Sequence, residues 1–168
     1  MDRNETVFVP AAALDEDERS RHERHMALVL DWAHEAHSPF AASLVDRGDD
    51  RILCRGLNQK SDNPILHGEI SAIIECARLH PDVDWRTLTL YTTAEPCPMC
   101  KSAIIWTGIS EVVYGASISD LIELGIRQIH LDSPTVAAAA PFYSGRIIGD
   151  VLKDRAYTMY KDWTESMK

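Results

Sequence analysis

The apolar residues change period along the chain, and that alternation constrains the fold more than any single residue. Over residues 18–36 they recur at three- and four-residue spacing (Met26, Val29, Ala33, Ala36), which predicts an amphipathic helix ended by Ser38-Pro39. Residues 40–45 and 52–57 read as strands joined by an Arg47-Gly48-Asp49-Asp50 turn, a hairpin. After a polar loop at 58–64, Leu66, Ile70, Ile73, Ile74 and Ala77 predict a second helix. Residues 87–93 read as a strand, and 98–107 as a helix with Pro98 in its first turn and Gly108 at its stop. A short strand at 112–114 and a short helix at 120–124, ended by Gly125, follow. Residues 147–152 are either one more strand or the lead-in to a C-terminal helix through Trp163. The order α-β-β-α-β-α-β-α is that of an α/β domain: a three-layer α/β/α sandwich with a mixed five-stranded sheet opened by a β-hairpin. Residues 1–16 read as a loose N-terminal arm and 17–168 as the domain.

Charge narrows the partners. Seventeen Lys and Arg against 26 Asp and Glu give a net charge of −9, and the densest charge run, 15–18, is acidic. Nucleic-acid binding draws on basic patches, and none is visible here, which argues against a nucleic-acid partner. No apolar run approaches the roughly 20 residues of a membrane helix. Residues 1–10 lack the basic start and apolar core of a secretory signal, so a cytoplasmic protein is expected. Four cysteines, at 54, 76, 97 and 100, are too sparse for a disulfide scaffold. Cys54 and Cys76 lie among apolar residues and read as buried free thiols.

Two motifs carry chemistry. His67-Gly68-Glu69 opens the second helix and Glu95-Pro96-Cys97-Pro98-Met99-Cys100 opens the third. Cys97 and Cys100 are three residues apart, so their sulfurs can point the same way, and a helix N-terminus favours thiolate, the form that binds zinc. Two thiolates and the His67 imidazole make three ligands for one Zn²⁺, and three ligands with an open fourth position are the catalytic arrangement. Zinc lowers the pKa of a water in that position to about 7. Glu69, two residues from His67, is not an obvious second ligand for the same ion and is well placed to move that water's protons. Taken singly, the bland readings are a helix cap for His67, a redox or plain pair for the cysteines and a solvated face for Glu69. The i,i+3 pairs His22/His25 and His34/His37 on the first helix have no third ligand near them and read as a solvated face.

The order His-x-Glu then Pro-Cys-x-x-Cys is the signature of the zinc nucleobase deaminases. Over about residues 20–130 the chain resembles the cytidine/deoxycytidylate-type deaminase superfamily, and most of all the small bacterial guanine deaminases and the tRNA adenosine deaminases. Pro39-Phe40-Ala41-Ala42 resembles the opening of the first strand of guanine deaminases, and Asn58 matches the asparagine that reads the base edge. Ala103-Ile104-Ile105-Trp106 resembles the helix after the zinc cysteines, and Ser119 to Gly125 resembles a segment in which an aspartate assists proton transfer. Ile126-Arg127-Gln128 depart from the aromatic and two acids that guanine deaminases carry there. A second resemblance, to fungal-type cytosine deaminases, rests on Leu66-His67-Gly68-Glu69-Ile70-Ser71 and Thr89-Leu90-Tyr91-Thr92-Thr93.

The resemblance implies a hydrolytic deaminase of a small nucleobase or nucleoside-like ring, guanine first and cytosine as the alternative. Editing of tRNA adenosine and a non-catalytic zinc-stabilised module are further alternatives. It implies one Zn²⁺ on His67, Cys97 and Cys100, proton transfer by Glu69 with Asp120, and a base held by Asn58 and Phe40 with Trp106 nearby. It also implies a homodimer in which a C-terminal segment, here the stretch 157–163, covers the partner's site. On residues alone, Asp120 is equally a helix cap.

Overall fold

The computed structural model describes residues 5–168. The alternation becomes β1 (Val7–Pro10), α1 (Glu16–Glu35), β2 (Ala41–Asp46), β3 (Arg51–Leu57), α2 (Gly68–Leu79), β4 (Leu88–Ala94), α3 (Pro98–Thr107), β5 (Glu111–Ala116), α4 (Ile118–Glu123), α5 (Ser133–Ala138), β6 (Arg146–Gly149) and α6 (Lys153–Ser166). One sheet runs in the order β1-β6-β5-β4-β2-β3. β1, β6, β5 and β4 pair in parallel, while β2 is antiparallel to both β4 and β3. Met26, Val29 and Leu30 of α1 and Ala156 and Tyr160 of α6 fill one face. Ala72 and Cys76 of α2 and Ile104 of α3 fill the other. The three layers are those the sequence implies. No helix is long and apolar enough to cross a membrane among the described residues.

Expectations change at two places, the N-terminal arm and the first helix. Six strands replace five, because residues 7–10 are not a loose arm: β1 pairs with β6, Val7 beside Arg146 through Pro10 beside Gly149. β1 is a mostly exposed edge strand with no buried alternation to betray it. Residues 1–4 of the arm lie outside the described residues. The C-terminal stretch 157–163 lies within α6, which packs on its own sheet with Tyr160 fully buried. Finally, His22 and His25 are buried, not solvated. His22 Nδ1 lies 2.9 Å from the Tyr91 hydroxyl and His25 Nε2 lies 2.9 Å from Asp50 Oδ1, partners that come from β4 and the hairpin turn and are far away in sequence.

Two glycines set the height at which α2 rides on the sheet. A Cβ on Gly56 would lie 2.2 Å from the Gly68 carbonyl oxygen and 2.3 Å from the Ala72 nitrogen. A Cβ on Gly68 would lie 3.2 Å from the Ala41 backbone. The first turn of α2, with His67 before it and Glu69 in it, therefore rests directly on β2 and β3. Gly56→Ala is expected to push that turn outward, because both close atoms are backbone. Overpacking of this kind costs about 1–3 kcal/mol. For a chain of this size that is roughly 2–12 °C of melting temperature, with weaker metal retention. Calorimetry and metal analysis of the variant check it; an unchanged melting temperature removes the contact as a constraint.

Candidate active site

The site gathers at one end of the sheet, where β4 ends, β2 begins and β3 ends. His67 occupies the N-cap of α2 and Cys97 the N-cap of α3, yet neither side chain caps its helix. Each side chain is thereby free for other work. His67 Nδ1 lies 3.7 Å from Cys97 Sγ and 3.5 Å from Cys100 Sγ. A tetrahedral ion bound at about 2.3 Å to sulfur and about 2.0 Å to nitrogen sets those atoms about 3.6 Å apart. The donor set and its spacing fit zinc.

The thiols share protons unequally. A hydrogen bond from Cys100, opposed by burial and aided by His67, brings the Cys97 thiol down to about 4. Cys100, beside that thiolate and buried, is pushed up. The bond to Cys97, partly offset by burial, raises His67. Glu69 is buried beside the group. Burial holds its carboxyl above the usual carboxylate range.

Asn58 and Phe40 join them. The loop after Asn58 is closed by Gln59 N–H donating to the Leu66 carbonyl at 2.8 Å, which makes Asn58 and His67 neighbours. Asn58 N–H donates to the Phe40 carbonyl at 3.1 Å, and its side-chain Oδ1 is buried with no partner among the described residues. Phe40 is held between the rings of Tyr160 and Trp163, at 5.1 and 5.8 Å.

Trp106 and Asp120 have other contacts. Trp106 lies at the far end of α3, 78% exposed, against Phe142 at 5.2 Å. Asp120 is the third residue of α4 in a capping box: its Oδ2 accepts from Ser117 N–H and Oγ–H, both at 2.8 Å, and Ser117 Oγ accepts its N–H. Lys153 Nζ lies 3.1 Å from the same oxygen. Burial pushes the Asp120 carboxyl up, but Ser117 and Lys153 outweigh it and hold it below its usual value.

Sequence reading did not single out Glu95. Its carboxylate accepts Ile118 N–H at 2.9 Å and Ser133 N–H at 2.7 Å, while Ser133 Oγ–H donates to the Pro96 carbonyl. One acid thus ties the first residues of α4 and α5 to the cysteine loop. A second acid–histidine group, Glu18, His22 and Glu111, brings its donor atoms within 4.8 Å of one another at the opposite end of β4 and β5. Arg146 pairs with Glu18 and lies 3.7 Å from Glu111, so the carboxylates already have their cation.

Residues 19–116 match the model of the cytidine and deoxycytidylate deaminase zinc-binding region. The chain belongs to that family. The deaminase is 33% identical over 119 residues to the cytosine deaminase of Candida albicans, covering 64% of this chain and 78% of that one. It is also 33% identical over 111 residues to the guanine deaminase of Bacillus subtilis, covering 62% and 70%. Among solved structures, the guanine deaminase of Nitrosomonas europaea superposes with a TM-score of 0.69 at 21% identity over 97% of this chain and 90% of that one, which shows the shared fold. The deaminase is a hydrolytic enzyme of a zinc-binding family.

Proposed function

We propose that this deaminase removes the exocyclic amine of a small nucleobase, guanine first, using zinc held by His67, Cys97 and Cys100. The observation that carries the reading is the meeting of three zinc-spaced donors with a buried carboxyl, Glu69, in the first turn of the helix whose N-cap position His67 occupies. Zinc, when bound there, supplies a water acidic enough to ionise near neutral pH. Glu69 takes the proton that water gives up and delivers it to a ring nitrogen. The water oxygen bonds to the amine-bearing carbon; Glu69 then moves the remaining proton of that oxygen to the amine, the C–N bond breaks, and ammonia leaves a carbonyl behind. Asn58 Oδ1, a buried acceptor without a partner among the described residues, takes an N–H from the base edge. Phe40 lines the ring, held by the aromatic pair behind it.

Guanine is supported by the relative in Bacillus subtilis. Cytosine is the second reading, and Asp120 favours it. An acid anchored by Ser117 and Lys153 and held ionised is a poor proton donor, which leaves Glu69 alone with both transfers. The net charge of −9 argues against a tRNA substrate.

Ammonia release should be screened over guanine, cytosine, adenine, isocytosine and the common nucleosides, with the unchanged protein and Asp120→Asn. On the guanine reading Asp120→Asn lowers kcat at least tenfold with little change in KM, the pattern of an interaction made in the transition state. On the cytosine reading, turnover of cytosine and not guanine comes with a near-normal kcat, since Asn and Asp cap about equally. No release from any base overturns both.

A further inference from the structure

A buried pair of hydroxyls lies behind the base-reading residues. Thr93 of β4 and Tyr160 of α6 are both fully buried. A threonine hydroxyl has one hydrogen and two lone pairs. The hydrogen goes to the Pro39 carbonyl at 2.7 Å, one lone pair takes Ala41 N–H at 3.2 Å, and the Tyr160 hydroxyl stands at 2.8 Å. With the Thr93 hydrogen committed to Pro39, Tyr160 is the donor of the third bond. Pro39 and Ala41 flank Phe40. Thr93 thus fixes the backbone on both sides of Phe40, the Tyr160 and Trp163 rings hold its side chain, and its carbonyl holds Asn58 N–H.

We propose that Tyr160 is a positioning residue for the base: by donating to Thr93 it locks residues 39–41 in the register that aims Phe40 and Asn58 at the substrate. This rests on reading Phe40 and Asn58 as the base-binding pair. The C-terminal helix then serves its own subunit's site from behind, through a path with no covalent or metal link. Neither Tyr160 nor Thr93 touches the base, so disturbing them acts on ground-state binding more than on the proton transfers of Glu69.

The test compares Tyr160→Phe, Thr93→Val, the double variant and Thr93→Ser, all close in shape to the original residues. KM and kcat are measured on the base the unchanged protein turns over. Amide hydrogen exchange is measured at Ala41, Asn58 and, as a control within α2, Ser71. Tyr160→Phe is expected to raise KM about fivefold, the size of one hydrogen bond, with kcat changed less than about threefold. Thr93→Val should do more, since it also strands the Pro39 carbonyl and Ala41 N–H. The double variant should match Thr93→Val, and Thr93→Ser should restore KM. Exchange should quicken at Ala41 and Asn58 and stay unchanged at Ser71. An unchanged KM on a base that is turned over, with only the melting temperature lowered, overturns the proposal and leaves the deaminase reading standing. Quicker exchange at both amides with no base turned over keeps the lock and removes the deaminase reading. Unchanged exchange at both amides overturns the lock whatever the kinetics.

Discussion

Replacing Glu69 by Gln is expected to leave zinc content and melting temperature near those of the unchanged protein while lowering kcat by at least roughly 10²- to 10⁴-fold. Gln has nearly the same shape and keeps a side-chain oxygen in the same buried position. What it cannot do is carry a proton. Deamination needs two transfers, one to the ring and one to the leaving amine, and the contacts of Asp120 leave it poorly placed to share them. Loss beyond the usual range is therefore consistent with one carboxyl serving both steps. Burial also matters: desolvation holds the carboxyl above its usual range, which favours the protonated form that gives a proton up. Ammonia release by the purified variant, with metal analysis on the same sample, checks it. A near-normal kcat with the correct base would remove Glu69 from the mechanism.

What the sequence made legible follows from where the signals are local. Helix α3 was read at its observed limits, Pro98–Thr107, because Pro at its first position and Gly108 in a left-handed turn at its end are backbone signals that do not depend on tertiary contacts. The metal group was legible because both motifs sit at helix starts three residues or fewer across. Helix α5 was missed although its signal was present: Asp132 accepts Thr135 N–H as N-cap and Pro134 follows in the first turn. Strand β1 had no such signal, since its edge position leaves its side chains mostly exposed. The burial of His22 and His25 was hidden for another reason. Tyr91 and Asp50 are 69 and 25 residues away, and long-range partners of a helical histidine leave no mark on its own periodicity. The same is true of Glu95, Thr93 and Tyr160, whose bonds all cross between elements.

Cys97→Ala is expected to lose both the metal and the activity, and to expose how far zinc stabilises the fold. Cys97 begins α3 while His67 begins α2, so an ion held by both ties two helix starts that otherwise make few contacts with each other. The Cys97 thiol is brought down to about 4, so it is ready as thiolate, and Cys100 and His67 are the groups that keep it so. Removing it leaves two donors where a catalytic zinc site has three. It also removes from Cys100 the neighbour that shapes its own proton affinity. Linkage gives the scale: a ligand at a thousand times its Kd adds about 4 kcal/mol to the folded state. For a chain of this length that is about 8–16 °C of melting temperature. A strong chelator should therefore lower the melting temperature of the unchanged protein by a comparable amount and leave Cys97→Ala unmoved. This pairing separates metal loss from ordinary damage to the helix start, because a variant that is merely misfolded would still respond to the chelator if it held the ion. Full zinc in Cys97→Ala, measured by elemental analysis, would take Cys97 out of the ligand set and leave the 3.5 Å pair of His67 and Cys100 in need of a different third donor.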